Sequence, residues 1–414
     1  MAAGFVESVD KESEAILMNA ETPFTIQSLE RIFGVRFSLS TRVQLLWKGK
    51  ESFETLFGAV KEAERLICLQ FYIFKNDETG KQLAHLLREK SWQGVKVYLL
   101  YDHFGSLGTP RGFWKEMKLA GIQISASHPF KWARPFHYVH RDHRKLIVID
   151  SKKAFTGGLN IANEYSGFHL RRRRREWRDT GVMLEGPIVK ELLNTFKKSW
   201  YTWRGEKIEV EGNDEAIAPR RQRGDLTLHG AEGIPTLPVF VYSARGRQRM
   251  RGLLRYSMNE ARRVIFLTTA YFIPSRRIIT ALEKAVRRGV DVRLLVPGKS
   301  DVAAASHAGR AFFARLLRAG VKLYIYEGEM LHAKTYLFDG SWSIIGSTNL
   351  DYQSLMYNDE GNVGILDSGF GSRMIKIFEE DLKNATVIEE ETWSGRPLMD
   401  KVKEHLFALF RKRL

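Results

Sequence analysis

Apolar and polar positions along the chain fall into two matching series. A continuous apolar run at 66–74 is too unbroken for one face of a surface helix and reads as a buried strand; a helical period follows at 82–90 and a second apolar run at 94–100. The same order recurs at 264–272, 278–288 and 289–295. Each copy continues into a further helix ending in Ala-Gly (Ala120-Gly121 and Ala319-Gly320), a short strand, and a strand bearing a histidine. Strands alternating with helical periods predict βαβ units. The expected architecture is therefore α/β and duplicated: two βα lobes, each with a mostly parallel sheet flanked by helices.

Composition sets the expected boundaries. The segment 205–238 is rich in Gly, Pro and charge and predicts a linker, with a first lobe at 40–204, a second at 239–385, an N-terminal extension at 1–39 and a C-terminal tail at 386–414. Just before the linker, Ile188, Leu192, Phe196, Trp200 and Trp203 recur at helical spacing and predict a core-facing stripe.

Charge narrows the partners. Lys and Arg number 65 against 48 Asp and Glu, a net +17 that favours nucleic acid, anionic lipid or a phosphate substrate without choosing among them. The single cysteine, Cys68, lies in an apolar run, so no intrachain disulfide is possible and a reducing compartment is expected. Acids at Glu7, Asp10, Glu12 and Glu14, with no basic start before an apolar stretch, argue against a secretory signal. The longest apolar runs fall far below the roughly 18–20 residues that span a bilayer, so membrane contact is expected at the surface.

The candidate chemistry is a repeated constellation: His-x-Lys, four residues, Asp, six residues, Gly-(Gly/Ser)-x-Asn. The first copy is His143, Lys145, Asp150, Gly157, Gly158 and Asn160; the second is His332, Lys334, Asp339, Gly346, Ser347 and Asn349. One His-x-Lys carries no weight, but six matched positions in two matched contexts do. Residues two apart on a strand share a face, so each His-Lys pair can address one ligand while Arg144 and Ala333 point away. The Gly-Gly and Gly-Ser turns would permit close backbone approach to an anion, and the asparagines supply amide donors. Two such sets facing each other at the lobe interface would surround a phosphate. One imidazole could attack phosphorus while the other handles the proton of the alcohol, with lysines and asparagines stabilising the charge. Metal ligation is disfavoured, because each histidine has a lysine beside it rather than Cys or clustered carboxylates. No metal or cofactor is expected.

These paired motifs resemble the phospholipase D superfamily over about 40–367. Further segments look like its bacterial cardiolipin synthase branch: Phe71-Tyr72-Ile73-Phe74, His140-Arg141-Asp142-His143-Arg144-Lys145, Leu184-Glu185-Gly186-Pro187, Tyr271-Phe272-Ile273-Pro274 and Asn358-Asp359-Glu360. The resemblance implies a phosphatidyl group moved between phospholipids through phosphohistidine, with His143 as nucleophile and His332 as acid/base. It also implies that a downstream carboxylate orients each histidine, with Asp179 the candidate after the first motif and Glu360 after the second, and that Asp150 and Asp339 are structural. Tyr72 and Tyr271 become candidates for headgroup contact. Gln353 and Leu355 stand where that branch tends to have Arg and Phe.

The implied substrates are phosphatidylglycerol and, as a further candidate, phosphatidylethanolamine, and the implied location is peripheral, on the cytoplasmic face of a bacterial membrane. Arg171, Arg172 and Arg173, within five consecutive arginines at 171–175, are candidate headgroup contacts. The loop 130–138 interleaves aromatics and bases, and 402–414 is basic and amphipathic, as an anionic membrane surface would require. Hydrolysis of phospholipid, or of nucleic-acid phosphodiesters, is the rival chemistry; nucleic acid is the less expected partner. The sequence does not specify an oligomeric state.

Overall fold

The computed structural model describes residues 22–130, 140–168, 176–208 and 233–410. In chain order the strands of the first half are β1 (Ser38–Ser40), β2 (Arg42–Leu46), β3 (Leu66–Phe71), β4 (Lys96–Asp102), β5 (Gln123–Ser127), β6 (Leu146–Ile149), β7 (Lys153–Gly157) and β8 (Gly181–Glu185). Those of the second are β9 (Ile234–Val241), β10 (Val264–Thr268), β11 (Asp291–Pro297), β12 (Lys322–Tyr326), β13 (Thr335–Phe338), β14 (Trp342–Gly346), β15 (Glu360–Leu366) and β16 (Ala385–Ile388). They form two sheets, ordered β2-β8-β7-β6-β3-β4-β5 and β1-β9-β15-β14-β13-β10-β11-β12-β16. The second order contains the first, with β9 standing for β2 and so on through β12 for β5; β1 and β16 are added at its edges. The duplication read from the apolar series is therefore a duplication of topology.

Strand direction departs from the expectation of mostly parallel sheets. Only β3-β4-β5 and β10-β11-β12 run parallel. Every other neighbour pair is antiparallel. The reason is in the connections. Helical crossovers such as Glu78–Trp92 and Arg276–Arg287 feed the parallel strands, whereas β6-β7 and β13-β14 are joined by tight turns that can only make hairpins. Asp150 and Ser151 have φ of 52° and 56°, and Asp339 and Gly340 have 50° and 66°, left-handed pairs at the centre of tight turns closed by Lys152 N–H to Ile149 O and Ser341 N–H to Phe338 O.

Burial follows the sheets. β3 and β10 are buried at every position, as unbroken apolar runs demand. The helices Ile188–Arg204 and Ser368–Leu382 lie between the two sheets. Ile188, Leu192, Phe196 and Trp200 form one core with Leu146 and Val148 of the first sheet, Phe266 and Leu337 of the second, and Phe370 and Phe378. Helices on the outer faces close two further cores. The lobes thus share a hydrophobic layer rather than a wet seam.

Three expected boundaries shift. β1, within the expected N-terminal extension, pairs with β9 of the second sheet, and β9 itself begins inside the expected linker. The expected tail opens on β16, which pairs with β12, and continues into a helix, Leu398–Leu409. Short edge strands lack the long apolar run that announces a strand, so composition alone assigned them to connectors.

Candidate active site

His143 and Lys145 lie in the extended segment just before β6, and His332 and Lys334 in the equivalent segment before β13, so each expected histidine-bearing strand begins three residues after its histidine. Instead of pairing within their own sheet, these segments pair across the lobes. Asp142 bridges Asp359 in parallel, and Leu331 bridges Arg178 in the same way. The His143 N–H donates to Asp359 O (2.9 Å) and the His332 N–H to Arg178 O (2.8 Å). Each bridge carries a carboxylate to the opposite histidine. His143 Nδ1 is 3.1 Å from Glu360 Oε2, and His332 Nδ1 is 2.7 Å from Asp179 Oδ2.

The pairing is crossed: first-half histidine with second-half carboxylate, and the reverse. A carboxylate following each histidine in its own half would give uncrossed pairs. All four groups are buried, His143 at 8% exposure being the most open. With Nδ1–H donated to a carboxylate, Nε2 is the nitrogen left to react.

The motif glycines and serine serve these carboxylates. A Cβ on Gly158 would collide with the Asp179 carboxylate, and in the second half the Ser347 hydroxyl donates to Glu360. The turns do not present backbone donors to an external anion as expected, because the N–H of Gly158 goes to Thr180 O and that of Ser347 to Gly361 O, both at 3.0 Å. The anion that approaches the Gly157-Gly158 backbone is the protein's own. Gly346 is equally constrained, since a Cβ there would meet Asn362.

Asn160 and Asn349 each accept from the backbone leaving β3 or β10, at Ile73 N (3.1 Å) and Tyr271 N (3.3 Å). Asn160 also donates to Tyr165 Oη at 2.9 Å, and the Tyr165 ring packs edge-on against His332, centroids 5.4 Å apart. Asp150 and Asp339 stand at the far ends of β6 and β13 from the histidines, seven residues or roughly 23 Å of extended chain away. Their carboxylates accept from the N–H groups of Glu64, Arg65 and Leu66, and of Arg262, Arg263 and Val264. That is a scaffold contact, locking the hairpin turn to the start of β3 or β10.

The electrostatics describe a site waiting for an anion. Burial lowers Lys145 to about 7 and Lys334 to about 8, each far below a solvated ammonium. Burial and the adjacent lysines also hold both imidazoles below their ordinary value, His332 down to about 4. Burial opposes ionisation of Asp179 and Glu360 too, but Lys334 and His332 for the former and His143 for the latter more than offset it, so both stay ionised. Each histidine is depressed in part by the other half's lysine, which places the two motifs in one electrostatic unit. The Lys145 Nζ donates to His143 O at 2.6 Å, and the Lys334 Nζ lies across the His332 ring, 2.7 and 3.0 Å from its nitrogens.

The family model for the cardiolipin synthase, phospholipase D-like domain matches residues 56–200 and 254–382. The chain belongs to that family. A cardiolipin synthase of Geobacillus kaustophilus (strain HTA426) is 33% identical over 374 residues, 90% of this chain and 72% of that one. Cardiolipin synthase A of Pseudomonas putida (strain KT2440) is 32% identical over 353 residues, 85% of this chain and 70% of its own length. Among solved structures, the phosphatidylserine synthase of Haemophilus influenzae Rd KW20 superposes with a TM-score of 0.73 over 94% of this chain and all of that one, at 14% identity. That likeness is one of fold.

Several residues around this cardiolipin synthase-family site carry no repeat signal and were not legible. Tyr165 and Trp177 pack on His332, the latter at 5.7 Å. Arg144, turned away as expected, clasps Asp142 with Nε and Nη2 (2.7 and 2.9 Å) and donates to Ser199, forming a buried charge network behind His143. Gln353 donates to Asn358, whose amide reaches Glu360 at 3.4 Å, so this departure from the family pattern acts on the carboxylate that holds His143. The tyrosines expected near the headgroup both face a histidine, Tyr72 at 5.0 Å from His143 and Tyr271 at 6.4 Å from His332. Arg171, Arg172 and Arg173, residues 131–138 of the aromatic loop and 411–414 lie outside the described residues.

Among the described residues no helix is long and apolar enough to cross a membrane. The helix Leu398–Leu409 docks on the helix Ala303–Arg310 through Phe407, which stacks on His307 at 5.5 Å, while its own Glu404 is held by Arg396 just before the helix at 2.6 Å. Its outer face leaves Leu398, Met399, Val402, Leu406, Leu409 and Phe410 exposed.

Proposed function

We propose that this phosphatidyltransferase moves a phosphatidyl group from a donor phospholipid to a hydroxyl of phosphatidylglycerol, with phosphatidylglycerol itself as the first donor to test. The crossed histidine–carboxylate pairs carry the reading, because they orient two buried imidazoles, each beside the lysine of its own motif and each in the field of the other half's lysine. His143 Nε2 attacks phosphorus, the bond to the headgroup oxygen breaks, and His332 supplies the proton that the departing alkoxide takes. The acceptor hydroxyl then gives its proton to His332 and attacks the phosphorus–nitrogen bond, returning His143 neutral.

Lys145, Lys334, Asn160 and Asn349 stabilise charge on the non-bridging oxygens, while Glu360 and Asp179 fix the two tautomers. An entering phosphodiester anion raises the depressed lysines and His332 together, so the substrate loads the acid with its proton.

The docked helix supports work on an anionic membrane surface. Its outward stripe recurs at three- and four-residue intervals and is followed in sequence by Arg411, Lys412 and Arg413. Phe407 packs beside Tyr271 and Ile273 of the site's second-half rim. On the first-half rim Phe104 and Leu107 are exposed, with the Arg141 guanidinium 4.2 Å from the Phe104 ring centroid. Apolar side chains thus flank both rims.

The test is incubation with phosphatidylglycerol vesicles, with and without phosphatidylethanolamine, and mass spectrometry of the products. Cardiolipin formation with phosphate trapped on His143 is expected. Phosphatidic acid alone would make the protein a hydrolase, and phosphate trapped on His332 would exchange the two roles.

A further inference from the structure

The two halves of the site match in their motifs and differ at their rims. Tyr72 and Tyr271 stand one position out of register after β3 and β10, Tyr271 matching Ile73, yet each has its ring edge-on to the histidine of its own half. At Tyr72 the half-buried neighbour from the motif is a cation, Arg141, although the field of the fully buried Asp102 acts on the tyrosine more strongly. Beside Tyr271 it is an anion: the Tyr271 hydroxyl donates to Asp301 Oδ1 at 2.7 Å.

Asp301 follows β11, at the carboxyl end of the parallel strands where open α/β sheets take their ligands. Its counterpart loop follows β4, whose last residue is an aspartate, Asp102. That side chain is fully buried and accepts from the N–H groups of Phe104, Gly105 and Asp142, with His128 at 3.5 Å; its field reaches Tyr72, but its carboxylate has no exposed face for a ligand. Asp301 is exposed, and among the described residues its carboxylate makes only the bond from Tyr271. Its field reaches Lys334 and Tyr165, and it crosses the cleft to Tyr72.

A solvent-facing carboxylate at the mouth of a phosphate site is unfavourable for the anion and, unlike Asp179 and Glu360, it holds no histidine. A hydrogen-bond donor on the substrate would turn that cost into recognition. In-line displacement puts the alcohol opposite the nucleophile. With His143 attacking, the alcohol lies on the His332 side, beside Tyr271.

We propose that Asp301, positioned by Tyr271, forms the alcohol subsite and accepts a hydrogen bond from a second donor group on the headgroup alcohol. A neighbouring hydroxyl of a polyol or the ammonium of an amino alcohol would serve. The inference rests on the reading of His143 as nucleophile. It makes Asp301 a specificity-determining residue, and it gives a role to a carboxylate that is exposed where Asp102 is buried.

The experiment is acceptor competition. Purified full-length protein receives phosphatidyl-p-nitrophenol as donor, with glycerol and 1-propanol at equal concentration in one arm and ethanolamine and 1-propanol in the other. Initial transfer products are counted by mass spectrometry. Wild type is expected to prefer the acceptor that carries a second donor, and Asp301→Asn to lower that preference about tenfold, the worth of one hydrogen bond to a charged group. Tyr271→Phe, which unties the carboxylate, should lower it partway, and Asp301→Glu should restore part of it. The glycerol and ethanolamine arms identify which donor the subsite reads. An unchanged ratio in both arms for Asp301→Asn overturns the proposal. Absence of any transfer product from wild type, with p-nitrophenol released, would instead overturn phosphatidyl transfer itself.

Discussion

Replacing Asp179 by Asn tests the crossed geometry most directly, because it removes a first-half carboxylate and should disable a second-half histidine. The Asn side chain keeps the volume and can still accept the Thr180 N–H that Asp179 takes at 2.7 Å, so the fold should persist. What is lost is a buried, charge-assisted bond of 2.7 Å to His332 Nδ1. Such a bond is worth about 1.5–3 kcal/mol, or roughly 10- to 150-fold, and losing the proton transfer it orients costs about 10²–10⁴-fold. The assay compares two leaving groups. Phosphatidylglycerol leaves as an alkoxide and needs a proton, whereas phosphatidyl-p-nitrophenol leaves as a stable phenolate and does not. We expect intermediate formation from phosphatidylglycerol to fall at least about 100-fold, and from the aryl donor by less than about tenfold. Equal losses on both donors would refute the role of Asp179 in holding an acid. The selective loss appearing in Glu360→Gln instead would show that His143 is the acid.

Gly158→Ala should reproduce the leaving-group selectivity of Asp179→Asn, since its Cβ would collide with that carboxylate, and a variant equally impaired on both donors would contradict this. The two depressed lysines, at about 7 and about 8, must be charged to receive phosphate, so kcat/KM for vesicle substrate should decline through that pH range and its acid limb should lie below the ordinary imidazole value of 6.5. The same lysines affect stability in the opposite direction. An unfolded lysine keeps its proton to about 10.4, so between about 7 and that value the unfolded state binds more protons and the fold gains stability as pH rises. Lys145→Met should therefore melt higher than wild type at pH 6, with the difference shrinking toward pH 9 in thermal scans; a lower melting temperature at pH 6 would mean the ammonium stabilises the empty site. Leu406→Glu with Leu409→Glu should cut co-sedimentation with anionic vesicles about tenfold or more while sparing activity on a short-chain soluble lipid, and unchanged sedimentation would place the membrane contact elsewhere.

Sequence periodicity revealed what repeats and what is buried without a break. β3 and β10, the His-x-Lys pairs and the stripe on Ile188–Arg204 are all of this kind. Strand direction is less legible, because the two βα crossovers of each half predict parallel pairing while Asp150-Ser151 and Asp339-Gly340 adopt left-handed turns that force hairpins. The crossing of carboxylates was illegible for a different reason: it depends on parallel bridges between segments 217 and 153 residues apart, as for His143–Glu360 and His332–Asp179. No local pattern encodes such a distance. Tyr165 and Asp301 were missed because neither has a twin at the matching place in the other half.

The common core between the sheets gives one chain the approximate two-fold axis of a dimer without the dimer's obligation that both partners be identical. A true symmetric pair would place the same residue on either side of phosphorus and leave the direction of displacement undefined. Here the halves differ: Asp142 and Arg144 back one imidazole where Leu331 and Ala333 back the other, and Tyr271 holds an exposed carboxylate, Asp301, in the second half. Fusion has let a palindromic scaffold acquire a front and a back.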